Sequence, residues 1–204
     1  MKLNLGCGTD VKQGYVNVDF RDLPGVMKVD LSKFPWPFDD ESADEVMMLD
    51  FLEHFPYRDT EKIIFEAYRI LKKDGKIILQ VPDLDHCSRA ASFIPPFLCN
   101  NCGWEFPVND DRAKFYLKAN FVCNKCGRSW RLIAGSAVAR LYGGQDYHGN
   151  WHFTAFSKLI LEDMLSMSGF GCIEEIQKNE NGETFYANWN LKLVARKLNI
   201  IWEE

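Results

Sequence analysis

Three strand-like runs in the first thirty residues each stop at groups suited to holding a ligand. Residues 2–5 are a brief apolar run that halts at Gly6-Cys7-Gly8. Residues 15–19 alternate and are β-branched, and they end on the carboxylate of Asp19. Residues 26–30 are a third such run, followed by Leu31. Open α/β sheets bind ligands outside the carboxyl ends of their strands, so this series constrains the chain more than any other feature. Gly6 and Gly8 let backbone N–H groups approach a ligand closely. Asp19 can accept both hydroxyls of a ribose. Asp30 and Leu31 offer a polar and an apolar contact suited to the edge and face of adenine. About eight residues separate the first two runs, fewer than the roughly 10–12 of a helical crossover. The first helix is therefore expected to be a single turn or missing.

Further on, residues 44–50 suit a buried strand. Asp59 is a candidate N-cap for a helix through Lys73, with Ile63, Ile64, Ala67, Tyr68 and Leu71 at helical spacing and Gly75 as its stop. Residues 76–82 are a strong strand halted by Pro82. Regularity breaks over 83–135 and resumes with a helix at 157–168, capped by Ser157 and followed by Gly169. Strands at 171–177 and 190–196, joined by the turn Asn179-Glu180-Asn181-Gly182, close the chain. Strands and helices alternate before that hairpin. The pattern predicts one α/β domain over residues 1–204, a Rossmann-like, mostly parallel seven-stranded sheet with an antiparallel edge strand. The irregular stretch 83–135 is read as a small inserted element.

The residues already singled out resemble the successive motifs of class I S-adenosylmethionine-dependent methyltransferases: Leu3-Asn4-Leu5-Gly6-Cys7-Gly8, then Val18-Asp19, then Asp30-Leu31 with Pro35 beyond. Asp44-Glu45-Val46 through Leu52-Glu53-His54, and Ala67-Tyr68-Arg69-Ile70-Leu71-Lys72-Lys73-Asp74-Gly75-Lys76, are similar to that family's fourth strand, helix and fifth strand. The likeness spans residues 3–82 closely and 150–196 loosely. It implies S-adenosylmethionine as cofactor. Gly6 and Gly8 would lie under the methionine part, Asp19 would hold the ribose, Asp30 and Leu31 would flank the adenine, and Cys7, Phe20, Leu49 and Asp50 would also border the cofactor. A nicotinamide dehydrogenase is the rival, but its G-x-G-x-x-G fingerprint fails, because Val11 stands in the third glycine's place.

Cys99-x-x-Cys102-Gly103 and Cys123-x-x-Cys126-Gly127 are separated by twenty residues. This fits the spacing of four-cysteine zinc sites. Four thiolates close a tetrahedral shell, so the zinc would be structural, with no position left for water. Unligated thiols, two disulfides, or iron in a rubredoxin-like shell are the alternatives. The insert, read as a zinc-ribbon-like element, leaves the sheet at the end where the ligand crevice opens. It would either shape a substrate site or only stabilise itself.

Methyl transfer needs alignment and sometimes a base, for which His is the usual choice. His54 follows the fourth strand, and His148 and His152 lie in the polar-aromatic stretch 142–154, so these three are the catalytic candidates. That stretch resembles the region before the last helix in sugar- or cell-surface-pathway methyltransferases. Basic and aromatic residues in the insert, such as Arg128, Arg131 and Trp130, can hold nucleic acid, but Glu105, Asp110 and Asp111 dilute their charge. The net charge of −5 gives no global attraction for nucleic acid or anionic membrane. With no long apolar run and seven cysteines, a cytosolic home is expected. The reading favours methylation of oxygen or nitrogen on a small molecule or saccharide. The alternatives are an RNA or protein methyltransferase docking through the zinc insert, and an inactive zinc-stabilised binding module.

Overall fold

A computed structural model of the chain describes residues 1–92, 97–98, 105–106, 120–122, 125–126, 129–131, 140–145, 150–176 and 190–198. The strands in chain order are β1 (Lys2–Leu5), β2 (Val16–Asp19), β3 (Met27–Lys28), β4 (Ala43–Leu49), β5 (Leu71–Pro82), the short β6 (Phe97–Leu98), β7 (Glu105–Phe106), β8 (Asn120–Val122) and β9 (Ser129–Arg131), then β10 (Phe170–Glu175) and β11 (Asn190–Lys197). A 3₁₀ turn, Leu52–His54, follows β4; α1 is Tyr57–Ile70, α2 is Leu84–Ser92, and α3 is Lys158–Met167.

Seven strands form one sheet in the order β10-β11-β5-β4-β1-β2-β3. The pairings from β5 through β3 are parallel, whereas β11 runs antiparallel to both β5 and β10. The sheet is therefore mixed, which corrects the expected mostly parallel sheet with an antiparallel edge. The antiparallel strand is internal, and the edge strand β10 again points the way β5 does. The reason lies in the final hairpin, whose second strand inserts between the first and β5.

The first long helix follows the fourth strand, as the sequence pattern places it. The connections β1–β2, β2–β3 and β3–β4 all lack a helix, so alternation begins only after β4. The third connection holds itself down another way. Trp36, 2% exposed, donates its indole N–H to Leu31 O at 3.0 Å and its backbone N–H to Glu66 Oε1 at 2.6 Å. Arg69 bridges Glu66 and Asp40 and donates to Phe38 O and Trp36 O. A loop is thus bonded to α1 where a helix would otherwise pack.

The core lies on the face of the sheet that α1 and α3 cover. Leu3, Leu5, Val18, Val46, Met48, Ile77, Leu79, Leu193 and Ala195 meet Ile63, Ile64, Ala67 and Ile70 of α1 and Leu161 and Leu165 of α3. The opposite face mixes polar side chains with Met47, Ile78 and Val194, where parallel sheets usually bury apolar side chains on both faces. Register aligns Lys2, Glu45, Lys76 and Arg196 across four strands. Glu45, 6% exposed, takes Lys76 Nζ at 2.7 Å and the Tyr15 hydroxyl, with Lys2 Nζ at 3.8 Å. Asn4 donates to Asn17 Oδ1 at 2.9 Å in the next row. These pairings satisfy a face whose first crossover helices are missing.

The ends of α1 differ from expectation. Pro56 is its N-cap, Asp59 sits in its first turn, and the chain passes from Ile70 directly into β5. Ser157 caps α3 as expected, its side chain accepting from Ile160 N–H, and Gly169 follows with φ 92°. The Asn179–Gly182 turn, Cys99, Cys102, Cys123 and His148 lie outside the described residues. Among the described residues no helix is long and apolar enough to cross a membrane.

Candidate active site

A cleft of about 590 Å³ opens at the carboxyl ends of β1, β2, β4 and β5. The structure brings all nine residues expected at the cofactor to its walls: Gly6, Cys7 and Gly8 after β1, Asp19 and Phe20 at β2, Asp30 and Leu31 after β3, and Leu49 and Asp50 at β4. Of the catalytic candidates, His54 also lines the cleft, and Phe153, next to His152, does so from the far segment.

Gly6 has φ +66°, and a Cβ there would stand 2.0 Å from Phe51 Cδ2. Glycine is thus required by the Phe51 ring as well as by the left-handed backbone. Gly8 donates its N–H to Asp19 Oδ2 at 2.8 Å, so the loop and the acid are locked together.

Asp19 is 4% exposed, and four donors converge on it. Oδ1 accepts the backbone N–H and the Nε–H of Arg21, both at 3.0 Å. Oδ2 accepts from Gly8 N–H and, at 3.5 Å, from Arg21 Nη2. Burial opposes ionisation here, yet the Arg21 and Gly8 donors outweigh it and hold the carboxyl below its ordinary range. Arg21 escaped the sequence reading; the one available signal was a cation two residues after a strand-end acid. Asp30 is held below its ordinary range by the Ser32 hydroxyl, which donates to it, and by the Ser32 backbone N–H.

Asp50 has φ 50°, a strained value for a non-glycine residue. It accepts from Gln80 Nε2 at 3.2 Å and, from β11, Asn190 Nδ2 at 3.1 Å. It is open to the cleft but walled on most sides, and that desolvation raises its carboxyl despite the Gln80 donor.

The segment 150–156 runs back along the same strand ends. Phe153 N–H and Thr154 N–H both donate to Glu53 O, at 2.8 and 3.3 Å, and Thr154 Oγ1 donates to Phe55 O at 2.7 Å. This pinning puts the His54 and His152 rings 4.8 Å apart at an interplanar angle of 86°. His54 Nδ1 meets Trp151 O at 3.0 Å, and His152 Nδ1 meets Arg140 O at 2.7 Å. A carbonyl only accepts, so both Nδ1 atoms carry a proton, and in the neutral ring the lone pair is then on Nε2. Burial lowers the pKa of His152, favouring its neutral form. Burial, reinforced by the Asp50 charge, raises Glu53 well above the glutamate range.

Residues 7–79 match the family described as a methyltransferase domain. Among curated proteins, no sequence matches the chain. Solved structures that share the fold include three methyltransferases. A SAM-dependent methyltransferase from Archaeoglobus fulgidus is 14% identical with a TM-score of 0.50, covering 96% of this chain and 85% of its own. The 1,6-didemethyltoxoflavin-N1-methyltransferase of Burkholderia thailandensis, solved with S-adenosylhomocysteine, is 13% identical with a TM-score of 0.50, covering 97% and 71%. The CurJ carbon methyltransferase is 12% identical with a TM-score of 0.53; the match covers 97% of this chain and 48% of that one, so this chain spans about half its length. The methyltransferase-domain match covers residues 7–79, about a third of the chain, and over the rest of its length the chain shares its fold with these methyltransferase structures.

Proposed function

We propose that the chain transfers a methyl group from S-adenosylmethionine to oxygen or nitrogen of a small molecule or saccharide. The observation that carries this is the single cleft joining the Gly6–Gly8 loop, Asp19, Asp30 and Asp50 to His54 at one end. The cofactor would lie along the first group, its ribose on Asp19. The acceptor would lie between the sulfonium methyl and the histidine end, where an Nε2 lone pair can take the acceptor's proton. Phe51, Phe55 and Phe153 supply the apolar part of that wall, the usual composition of a small-molecule site. The small-molecule acceptor of the Burkholderia protein supports this substrate class.

Calorimetry with S-adenosylhomocysteine tests the cofactor half. Asp19→Ala removes hydrogen bonds to a charged group worth roughly 1.5–3 kcal/mol, so affinity should fall tenfold or more. Unchanged affinity removes Asp19 from the site. Labelled methyl transfer into fractionated extracts tests the acceptor half, and transfer into RNA would overturn the substrate class.

The four cysteines are proposed to hold one structural zinc in a reducing, cytosolic setting. In support, β6 pairs β7 and β8 pairs β9, both antiparallel, and each C-x-x-C lies in sequence between the strands of one pair. Replacing Cys99 and Cys126 with Ser should release thiolate-bound zinc while cofactor binding persists; elemental analysis finding no zinc in protein purified without chelator would remove the site.

A further inference from the structure

Glu53 is 1% exposed, and among the described residues its carboxylate oxygens find no well-aligned hydrogen-bond donor; only its own backbone N–H offsets the burial. Burying a carboxylate without a partner is costly. The nearest ligand-bearing groups are the two histidines already described. One ligand atom of each of Glu53, His54 and His152 lies within 4.8 Å of the other two. Both imidazoles are oriented through Nδ1–H on backbone carbonyls, at 3.0 and 2.7 Å, which leaves Nε2 as donor to an ion. Metal-ligating histidines take this arrangement, their second nitrogen fixed by a carbonyl or carboxylate.

We propose that Glu53, His54 and His152 bind one divalent transition-metal ion of the zinc type, with an open position facing the cofactor cleft. Two imidazoles and one carboxylate are the donor set of three-ligand zinc sites that keep a fourth position for water or substrate. Magnesium and calcium prefer shells of oxygen alone. With bonds of about 2.1 Å, tetrahedral zinc brings its ligand atoms to roughly 3.4 Å of one another. Reaching that distance from a spacing of up to 4.8 Å requires the Glu53 side chain to rotate and the rings to shift toward one another. The ion supplies the counter-charge that the buried carboxylate lacks.

The role of the ion rests on the methyltransferase reading; the site itself does not. His54 lines the cleft, so the open position faces the acceptor. An acceptor O–H or N–H bound there is acidified and gives its proton to solvent. Its lone pair then forms the bond to the methyl carbon. The S–CH₃ bond breaks, and its electron pair stays on sulfur as S-adenosylhomocysteine. With the ion in place, the metal replaces a free imidazole as the activating group.

The test uses the full chain, stripped with chelator and titrated with Co²⁺. Cobalt on the cysteine thiolates gives an intense near-ultraviolet charge-transfer band; cobalt on histidines and carboxylate gives only visible d–d bands. We expect a second, thiolate-free cobalt site. Glu53→Gln and His152→Ala should each weaken it tenfold or more and leave the charge-transfer band unchanged. Circular dichroism of the metal-free variants reports folding, and His54→Ala serves if Glu53→Gln does not fold. Cobalt spectra that all three folded variants leave unchanged would overturn the site, as would binding so weak that the ion is adventitious only. S-adenosylhomocysteine binding is measured on the same samples. Its absence beside intact metal binding refutes the cofactor reading, whereas the reverse result refutes the metal.

Discussion

Replacing Arg21 with Ala should strengthen cofactor binding, because Arg21 occupies the acceptor positions that a ribose would need. A carboxylate offers about four lone-pair sites, and four donors already converge on Asp19. Two of them, Gly8 N–H and Arg21 N–H, belong to the backbone and stay. The other two come from the Arg21 side chain, which is 39% exposed and also lies over the Phe20 ring. A ribose diol brings two O–H donors and must displace them. A half-exposed ion pair of this kind contributes about 0.2–1 kcal/mol. Removing it spares the cofactor that cost, so Kd should fall by up to roughly fivefold at low salt. Calorimetry with S-adenosylhomocysteine measures it directly. At high salt the gap between wild type and variant should narrow, since the competing pair is screened. Binding weakened tenfold in Arg21→Ala would refute the reasoning, because Arg21 would then be a cofactor contact rather than its competitor.

Three further outcomes follow from the packing. Glu53→Gln should leave the Tm of metal-free protein within about 1 kcal/mol of wild type, since burial already favours the neutral carboxyl and an amide of the same shape replaces it; a loss of several kcal/mol in the chelated sample would show that the ionised carboxylate is satisfied in the fold. Trp36→Ala should destabilise by about 3–5 kcal/mol, at roughly 2–4 °C per kcal/mol for a chain of this size, and a change under 1 kcal/mol in denaturant melts would mean that the loop is not held by this ring. Lys76 and the Tyr15 hydroxyl outweigh the burial of Glu45 and depress its pKa, so its stabilisation is present above the ordinary glutamate range and lost as pH falls through its lowered value. Glu45→Gln should therefore cost stability at pH 7 and little near pH 3, and equal losses at both would place the effect in packing instead.

Much of the fold was legible because its signals are local. Alternation marked β2, and a bounded apolar run marked β5. Ser157 and Gly169 marked both ends of α3 through cap chemistry that acts within one turn. The spacing between β1 and β2 foretold a missing first helix. No helix was read in the next two connections either, where Pro35, Trp36 and Pro37 mark a loop; what the sequence does not show is Trp36 reaching Glu66 across thirty residues to hold that loop down. Placement of β11 between β5 and β10 was equally illegible. A hairpin signal says that two strands pair, and nothing in it says which of them meets the sheet.

The candidate site divides along the same line. Residues 6–8, 19, 30–31 and 49–50 converge because each follows a strand of one sheet, and strand ends of a parallel sheet meet by construction. Topology alone therefore collects them. Glu53 and His152 obey no such rule. They are brought together by two backbone N–H groups, those of Phe153 and Thr154, bonding back to Glu53 O. Backbone donors carry no residue identity, so no pattern in the sequence could announce the contact. His54 was legible as a strand-end histidine, yet its role is set by the ring of His152, almost a hundred residues away, and by a carboxylate beside it that reads in sequence as an ordinary acid after a strand. What makes Glu53 unusual is the donors that are missing among the described residues, and an unmet hydrogen bond exists only once the chain has folded around it.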